Sequence, residues 1–326
     1  MNLKQLGFLS LAVLSHAALA QSTVTVYGLI DLGVAKGNGG TATSFGGNGT
    51  VEATRVQQAA SSRLGFRGTE DLGGGLSAQF SLEHRYLPDT GAQNNATTFW
   101  SGNSYVQLTQ SGVGSLWMGR NYIPAFYVSV KSDPFGWDGP GQWGPQSFGL
   151  YRFIQGPNTV GFKSARFVGG LTFALSYSDG EGSAARETGM NLEFSSGPLY
   201  AGFGYDKLKK GPAATDGDSL MNLAVHYDFG FVKPRLYLSR SKTTGGTRTS
   251  DEFALGLTAP IGASGRLKAA YLNLNPWGDN NTQQKLSAGY EYAFSKQTNL
   301  YFDLSQAKEQ AKTSNTTYQI GVKKLF

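Results

Sequence analysis

The sequence predicts an all-β protein, a 16-stranded antiparallel transmembrane β-barrel with an inward-folded third loop, and three observations support this fold. Apolar and polar side chains alternate with a period of two over many short segments, which is the pattern of strands with one apolar face. Short turns alternate with longer polar connectors, as in outer-membrane barrels. The composition agrees, because 45 glycines, 13% aromatic and only 15% charged residues in a chain of 326 suit many turns and strands.

The first twenty residues have the three parts of a secretory signal peptide. Lys4 gives a positive start, Phe8–Leu14 is apolar, and Ala18–Ala20 is a cleavage motif. The alternative, a membrane anchor, is disfavoured because a spanning helix needs about 20 apolar residues. We therefore expect residues 1–20 to be removed and residues 21–326 to form one barrel domain. Removal of Lys4 lowers the formal net charge from +6 to +5, since the segment contains no acidic residue.

The alternation of apolar and polar side chains recurs along the rest of the chain. It is clearest in Leu76–Glu83, Leu171–Ser178, Met190–Ser195, Glu252–Ala259, Lys285–Phe294 and Asn299–Ser305. Counting such runs gives 16 strands of about ten residues, the length of a tilted membrane crossing. A soluble β-sandwich would show the same period. The barrel is favoured because the second face is often charged, aromatic residues lie at strand ends, and the chain ends on Phe326 in register with Tyr318.

The second face of these strands predicts a water-filled interior. It carries charges of both signs: Arg63, Arg67, Glu83, Arg85, Lys163, Glu193, Asp206, Asp228, Lys233, Arg235, Glu252, Lys268, Lys285, Glu291, Asp303 and Lys323. On the lipid side each Lys or Arg would cost about 2–4 kcal/mol at the midplane, and isolated charges in a dry interior would cost more. A barrel of about 16 strands is also too wide for side chains to fill.

The longest connector, from about Tyr122 to Tyr151, contains the stretch SDPFGWDGPGQWGP. Its glycines and prolines disfavour a regular helix or a central strand, so we expect an irregular path. Irregular backbone is tolerated at membrane depth where it lines a water-filled cavity. We therefore predict that the connector folds into the lumen and that Phe135, Trp137 and Trp143 pack on the inner wall. The alternative is a surface loop with aromatic contacts.

Five stretches are similar to the general diffusion porins of Gram-negative outer membranes, most closely to the β-proteobacterial type. They are TVTVYGLIDLGV (Thr23–Val34), SSRLGFRGTEDLGGGLSAQFSLE (Ser61–Glu83), MGRNY (Met118–Tyr122), SDPFG (Ser132–Gly136) and TYQIGVKKLF (Thr317–Phe326). The resemblance runs over the whole chain and is weakest in the long loops. It implies a homotrimer of 16-stranded barrels in the outer membrane. It also implies that Phe326 is read by the outer-membrane assembly machinery.

The resemblance further implies a pore constriction in which wall arginines face carboxylates of the loop. By position, Arg63 and Arg120 match two wall arginines, and Arg152 is a third candidate. Asp133 matches the acidic position, although the order of proline and acid is inverted here, and Asp138 is a further candidate. Opposed rows of charge would create a transverse field that orients dipolar solutes.

Two of these arginines have alternative interpretations. The alternative for Arg63 is an ordinary lumen charge away from the narrowing. Arg120 lies two and four residues after Met118 and Leu116, so on a regular strand it would point to the same, lipid-facing side. A β-bulge or the end of the strand must therefore intervene if Arg120 is to point inward.

Other functional motifs are missing from the sequence. His84 and His226 are the only histidines after residue 20, without metal-site spacing, and the chain has no cysteine. There is no G-x-S-x-G motif, and the basic residues are dispersed rather than clustered as in nucleic-acid-binding proteins. We therefore expect no enzyme, no cofactor, no metal and no nucleic-acid partner.

The predicted function is an outer-membrane porin that passes ions and small hydrophilic solutes by passive diffusion. Its partners are then those solutes, outer-membrane lipid and the assembly machinery. The lumen charges and the net charge of +5 favour anions. The alternatives are a substrate-specific channel for a sugar or an organic acid, and a non-conducting surface or adhesive barrel whose loops bind a partner.

Overall fold

The computed structural model describes residues 23–43, 52–180, 186–209, 216–243, 247–275 and 282–326. The predicted signal peptide lies outside these residues. The described part contains sixteen long strands: β1 (Thr23–Gly37), β2 (Arg63–Gly73), β3 (Leu76–Leu87), β4 (Ser104–Gln110), β5 (Gly114–Tyr122), β6 (Gln155–Ser164), β7 (Leu171–Ser178), β8 (Arg186–Ser196), β9 (Leu199–Lys209), β10 (Ser219–Tyr227), β11 (Lys233–Thr243), β12 (Arg248–Ile261), β13 (Gly265–Leu274), β14 (Gln283–Ser295), β15 (Thr298–Glu309) and β16 (Asn315–Leu325). Two short extended segments, Arg55–Gln57 and Ala92–Gln93, lie in the connectors.

The sixteen strands form a closed antiparallel barrel. Each long strand pairs with the next one along the chain, and β16 pairs with β1, with Leu325 opposite Leu29. The backbone groups of Phe326 and Gly28 exchange two hydrogen bonds of 3.0 and 3.1 Å, which tie the end of the chain to β1. Closure removes the unpaired edges that an open sheet would expose to lipid. The predicted 16-stranded barrel is confirmed.

The two faces of the wall differ as the alternation predicts. On the outer face large apolar side chains are exposed. The exposed fractions of Leu286, Val106 and Ile320, for example, are 62, 55 and 49%. On the inner face, polar side chains such as Glu193 and Gln319 are buried. An exposed apolar band of this extent suits contact with hydrocarbon rather than with water.

The ends of the barrel differ in the length of their connectors. At one end, here called the short-turn end, tight turns join the strands. The turn between β2 and β3 has positive φ at Gly73, Gly74 and Gly75, a conformation that glycine adopts without steric cost. At the other end the connectors are longer, and the longest described one joins β5 to β6.

This longest connector, residues 123–154, is here called the inward segment. It begins with a helix, α1 (Pro124–Ser132), and later includes a 3₁₀ helix at Gly144–Phe148. The irregular path predicted from about Tyr122 is therefore wrong for its first part. Pro124 occupies the first turn of α1, where its fixed φ favours a helix start and no N–H is needed. No helix among the described residues has both the length and the hydrophobicity of a membrane-spanning helix.

Apolar contacts hold the inward segment against the inner side of the wall. One cluster joins Val128, Phe135 and Trp143 to inward-facing side chains of β9 to β13: Tyr200, Ala224, Tyr237, Ala254, Ala270 and Leu272. A second joins Ile123, Ala125, Phe148 and Tyr151 to Leu208 and Leu220. The predicted wall contacts of Phe135 and Trp143 are therefore present. Trp137 instead packs between Phe126 and Phe148 of the segment itself.

Polar contacts between the same surfaces satisfy the irregular backbone. Asn191 and Asn222 each donate an amide N–H, over 2.9 Å, to the carbonyl oxygens of Pro124 and Ala125. Lys285 donates to the carbonyl oxygen of Gln142 over 2.7 Å. Buried carbonyl groups need such partners, so these wall residues specify where the segment lies.

Candidate functional site: the narrowing beside the inward segment

Asp133 organises the turn that follows α1. One carboxylate oxygen accepts the backbone N–H of Phe135 at 2.9 Å, and the other accepts those of Trp137 and Trp143 at 3.0 and 2.8 Å. The residue is only 4% exposed. Burial raises the pKa of the Asp133 carboxyl above its usual range, although these N–H groups and Lys285 favour the ionised form. Asp133 therefore shapes the turn more directly than it presents charge to solutes.

Asp138 lies at the tip of the inward segment and faces cationic groups. Its carboxylate is 3.8 Å from the ammonium of Lys323, and the side chain keeps 33% exposure. It is nevertheless enclosed deep within the barrel, and this burial raises the pKa of Asp138 to about 6, against the charges of Lys323 and Arg63. Asp138 is therefore the loop carboxylate that can act on a passing solute.

The tip covers a cavity of about 240 Å³ lined by charges of both signs. Its cations come from β11, β13 and β16 and are Arg235, Arg266, Lys268 and Lys323. Its carboxylates are Asp31, Asp133, Asp138, Glu291 and Asp303. Three of the four cations are paired: Arg266 with Glu291 at 2.8 Å, Lys268 with Asp303 at 3.1 Å, and Lys323 with Asp138.

The predicted constriction residues do not all meet at this cavity. Asp133 and Asp138 line it. Arg63, the first residue of β2, lies within electrostatic range of Asp138, and its Nε donates to the carbonyl oxygen of Ser61 over 3.2 Å. Arg63 and Asp138 thus place opposite charges near the tip.

Arg120 and Arg152 lie away from this cavity. The register between β5 and β6 is irregular around Arg120, and its guanidinium donates to Gln155 Oε1 at 2.7 Å and to the carbonyl oxygen of Ser101 at 3.5 Å. Arg152 donates to the carbonyl oxygens of Gly149 and Tyr151. Neither lines the 240 Å³ cavity, and their role in the constriction stays a prediction.

Two larger hollows lie elsewhere along the barrel. One, of about 570 Å³, lies between the segment and the wall of β4 to β8, and its lining includes Tyr105, Trp117, Tyr127 and Lys163. The other, of about 500 Å³, lies at the short-turn end. Arg266 and Glu291 line both this second hollow and the 240 Å³ cavity, so the two are adjacent spaces of one lumen.

The charges between the rims of the barrel are distributed asymmetrically. Among the described residues, the inward-facing cations without an acidic partner keep some exposure: Arg63, Arg67, Lys163 and Arg235. The carboxylates without a cationic partner are buried: Asp31, Asp133, Glu187, Asp206 and Glu252, each at most 4% exposed. The accessible unpaired charge of this lumen is therefore positive.

Comparison with known proteins gives consistent relatives. A family model described as Gram-negative porin matches residues 8–312. Outer membrane porin protein 32 of Delftia acidovorans is 32% identical over 360 residues, which cover 98% of this chain and 99% of the relative. An outer membrane porin of Bordetella pertussis is 27% identical over 383 residues, which cover 97% of each chain. The solved structure of an anion-selective porin from Comamonas acidovorans superposes with a TM-score of 0.78 at 27% identity and covers 94% of this chain and 100% of its own.

Proposed function

The chain belongs to the Gram-negative porin family, and from this membership we propose that its lumen passes small anions in preference to cations. The protein is an outer-membrane porin, a barrel through which ions and small hydrophilic solutes cross by passive diffusion. The proposal involves no catalysis, because the lumen is proposed only to attract or exclude solutes.

The asymmetric charge of the lumen carries the proposal. A solute moving past the inward segment meets Arg63, Arg67, Lys163 and Arg235, whereas the unpaired carboxylates are buried. Low-dielectric walls focus the field of such charges and raise the local concentration of counter-ions. The similar porin from Comamonas acidovorans, which is described as anion-selective, supports the same preference for anions.

A narrower proposal concerns the tip of the inward segment. We propose that Asp138 on one side, with Arg63 and Lys323 on the other, creates a transverse field at the narrowing. The distance of 3.8 Å between Asp138 and Lys323 supports this arrangement. Arg120 and Arg152 would contribute only to the longer-range field, because their guanidinium groups are bound to neighbouring carbonyl and amide oxygens.

Planar-bilayer recording tests the anion preference. Purified protein is reconstituted with a tenfold KCl gradient, and the zero-current potential is measured. We expect a potential set mainly by chloride. A potential set by potassium would overturn the anion preference, while steady conductance of either sign would still agree with a diffusion channel.

Three further proposals concern export and assembly, the first based on the sequence of residues 1–20 and the other two on the family resemblance. We propose that residues 1–20 are cleaved, that Phe326 is recognised during outer-membrane assembly, and that three barrels associate. The mass of the mature protein would reveal cleavage after Ala20, and light scattering of the detergent-solubilised protein would give the number of subunits. Deletion of Phe326 should lower the amount of folded barrel in the outer membrane.

A further inference from the structure

We propose that Arg235 forms a binding subsite for a small oxyanion, such as a carboxylate, in the cavity below the tip of the inward segment. The inference rests on the proposed function, since it names the residue at which a permeating anion would pause. It differs from the constriction predicted from the sequence, which involves Arg63, Arg120 and Arg152.

Arg235 has hydrogen-bonding capacity that the protein does not use. Its Nη1 donates to Thr258 Oγ1 over 3.0 Å, and its Nε is buried without a hydrogen-bond partner. Among the described residues no carboxylate forms a salt bridge with it. An arginine binds a carboxylate through two parallel N–H donors, and the buried Nε–H of this guanidinium still lacks an acceptor.

The other cations of the cavity are already engaged. Arg266 is paired with Glu291 at 2.8 Å, Lys268 with Asp303 at 3.1 Å, and Lys323 lies 3.8 Å from Asp138. Their charges are largely offset by these partners, so an incoming anion gains less from them. Arg235 is the cation of this lining whose charge is not offset by a direct partner.

The neighbours of Arg235 do not neutralise it either. His226 lies directly opposite it on β10, but its ring is stacked on Tyr200 at 4.2 Å and neither ring nitrogen has a partner. The carboxylates that act electrostatically on Arg235 are Asp133 and Asp228. Asp133 is occupied by backbone N–H groups, and Asp228 faces Lys233 at 3.8 Å.

The cavity gives a small solute both room and access. Its volume of about 240 Å³ suits a small oxyanion. The lining shared with the hollow at the short-turn end, through Arg266 and Glu291, provides a route to bulk water. The hydroxyl of Thr258, which accepts a hydrogen bond from Arg235, lines the adjoining hollow.

The test measures single-channel conductance against concentration in potassium acetate and, separately, in KCl. We expect the acetate conductance to saturate, because a site that binds the anion limits its rate of exit. In the R235Q variant the half-saturating acetate concentration should rise about tenfold, which corresponds to the loss of about 1.4 kcal/mol of binding. R235K keeps the charge but not the paired donors, so its half-saturating acetate concentration should lie between those of the wild type and R235Q.

The control variant is R240Q, which also removes an arginine of β11, but one that is exposed and paired with Asp251 rather than part of the cavity lining. It should leave the acetate saturation unchanged. Acetate conductance that does not saturate in the wild type overturns the subsite. So does a half-saturating acetate concentration that is the same in R235Q and R235K as in the wild type. If R235Q does not fold, the comparison of R235K with the wild type decides. The zero-current potential in KCl reports the general anion preference separately, so failure of the subsite and failure of the proposed function are distinguishable.

Discussion

Asp138 is a carboxylate of the inward segment whose charge state is expected to change near physiological pH. Enclosure in the lumen raises the pKa of its carboxyl to about 6. Above that pH the group is ionised and opposes anions at the tip, and below it the group is neutral. The field at the narrowing should therefore become more positive as the pH falls.

We accordingly predict that the chloride-to-potassium permeability ratio rises when the pH is lowered from 8 to 5. The measurement is the zero-current potential in a KCl gradient at each pH. The D138N variant should show a high ratio at both values and a smaller pH dependence. An equal pH dependence in D138N and in the wild type would assign the effect to another group.

Arg63 and Arg120 carry the same charge but have different surroundings, which makes them a matched pair. Arg63 acts on Asp138, and among the described residues its side chain donates only to the carbonyl oxygen of Ser61. Arg120 is held by Gln155 and by the carbonyl oxygen of Ser101. We predict that R63Q lowers the chloride-to-potassium permeability ratio about twofold or more, whereas R120Q changes it less. A change of twofold corresponds to about 0.4 kcal/mol, a size that one partly screened charge can supply.

The reverse order, with R120Q dominant, would mean that Arg120 rather than Arg63 faces the permeating ions. Both variants need a folded barrel as a control, which heat-modifiable electrophoretic mobility can show.

The residues of the narrowing were only partly predictable from the sequence. Parity along the strands assigns Arg235, Lys268 and Lys323 to the lumen, and the structure agrees. The alternation cannot say which of them lie below the tip, since that depends on where a connector much earlier in the chain comes to rest. The sequence pattern also could not show that the Asp133 carboxylate accepts backbone N–H groups of the following turn, because that depends on the path of the turn.

At the scale of elements, the tip of the inward segment is held by the first connector, which joins β1 to β2. Asp31 on β1 accepts the backbone N–H groups of Ala59 and Ala60 at 3.0 and 3.1 Å and the hydroxyl of Tyr301 at 2.6 Å. The carbonyl oxygen of Ala59 in turn accepts the backbone N–H of Gly139 at 3.0 Å. Asp31 thus holds the end of the first connector, and that connector holds the tip.

We predict that D31A widens and loosens the pore. Removing the carboxylate leaves the N–H groups of Ala59 and Ala60 and the Tyr301 hydroxyl without their partner, and each unsatisfied buried group costs about 1–3 kcal/mol. Single-channel recordings should then show higher conductance with more open-channel noise than in the wild type. The control is Y301F, which removes one hydrogen bond but keeps the Asp31 contacts to the connector. Unchanged conductance and noise in D31A would show that the apolar clusters alone hold the tip.

The helix α1 shows where local sequence patterns were insufficient. Its residues PAFYVSVKS include β-branched and aromatic side chains with modest helix propensity, so only Pro124 at its start indicates a helix. The helix is stabilised by tertiary contacts, because Ala125 and Val128 are fully buried against the wall. The strands were predictable for the opposite reason, since lipid outside and water inside impose a period of two along each of them.

At the scale of the whole molecule, closure and charge act together. The barrel encloses its charges in a wall whose backbone hydrogen bonds are satisfied between strands. A solute in the lumen is therefore surrounded by the field of many residues rather than by one contact. Because the anion preference is proposed to come from this summed field, it should depend on screening by the salt that fills the lumen.

We predict that the chloride-to-potassium permeability ratio falls as the mean KCl concentration rises from 0.1 to 1 M at a constant gradient. The Debye length shortens from about 10 Å to about 3 Å over this range, so exposed lumen cations such as Arg67 and Lys163 act over ever shorter distances. The zero-current potential at each concentration gives the ratio, and the R63Q variant should start lower and fall less. A ratio independent of salt would instead indicate selection at a dehydrated contact, where screening has little effect.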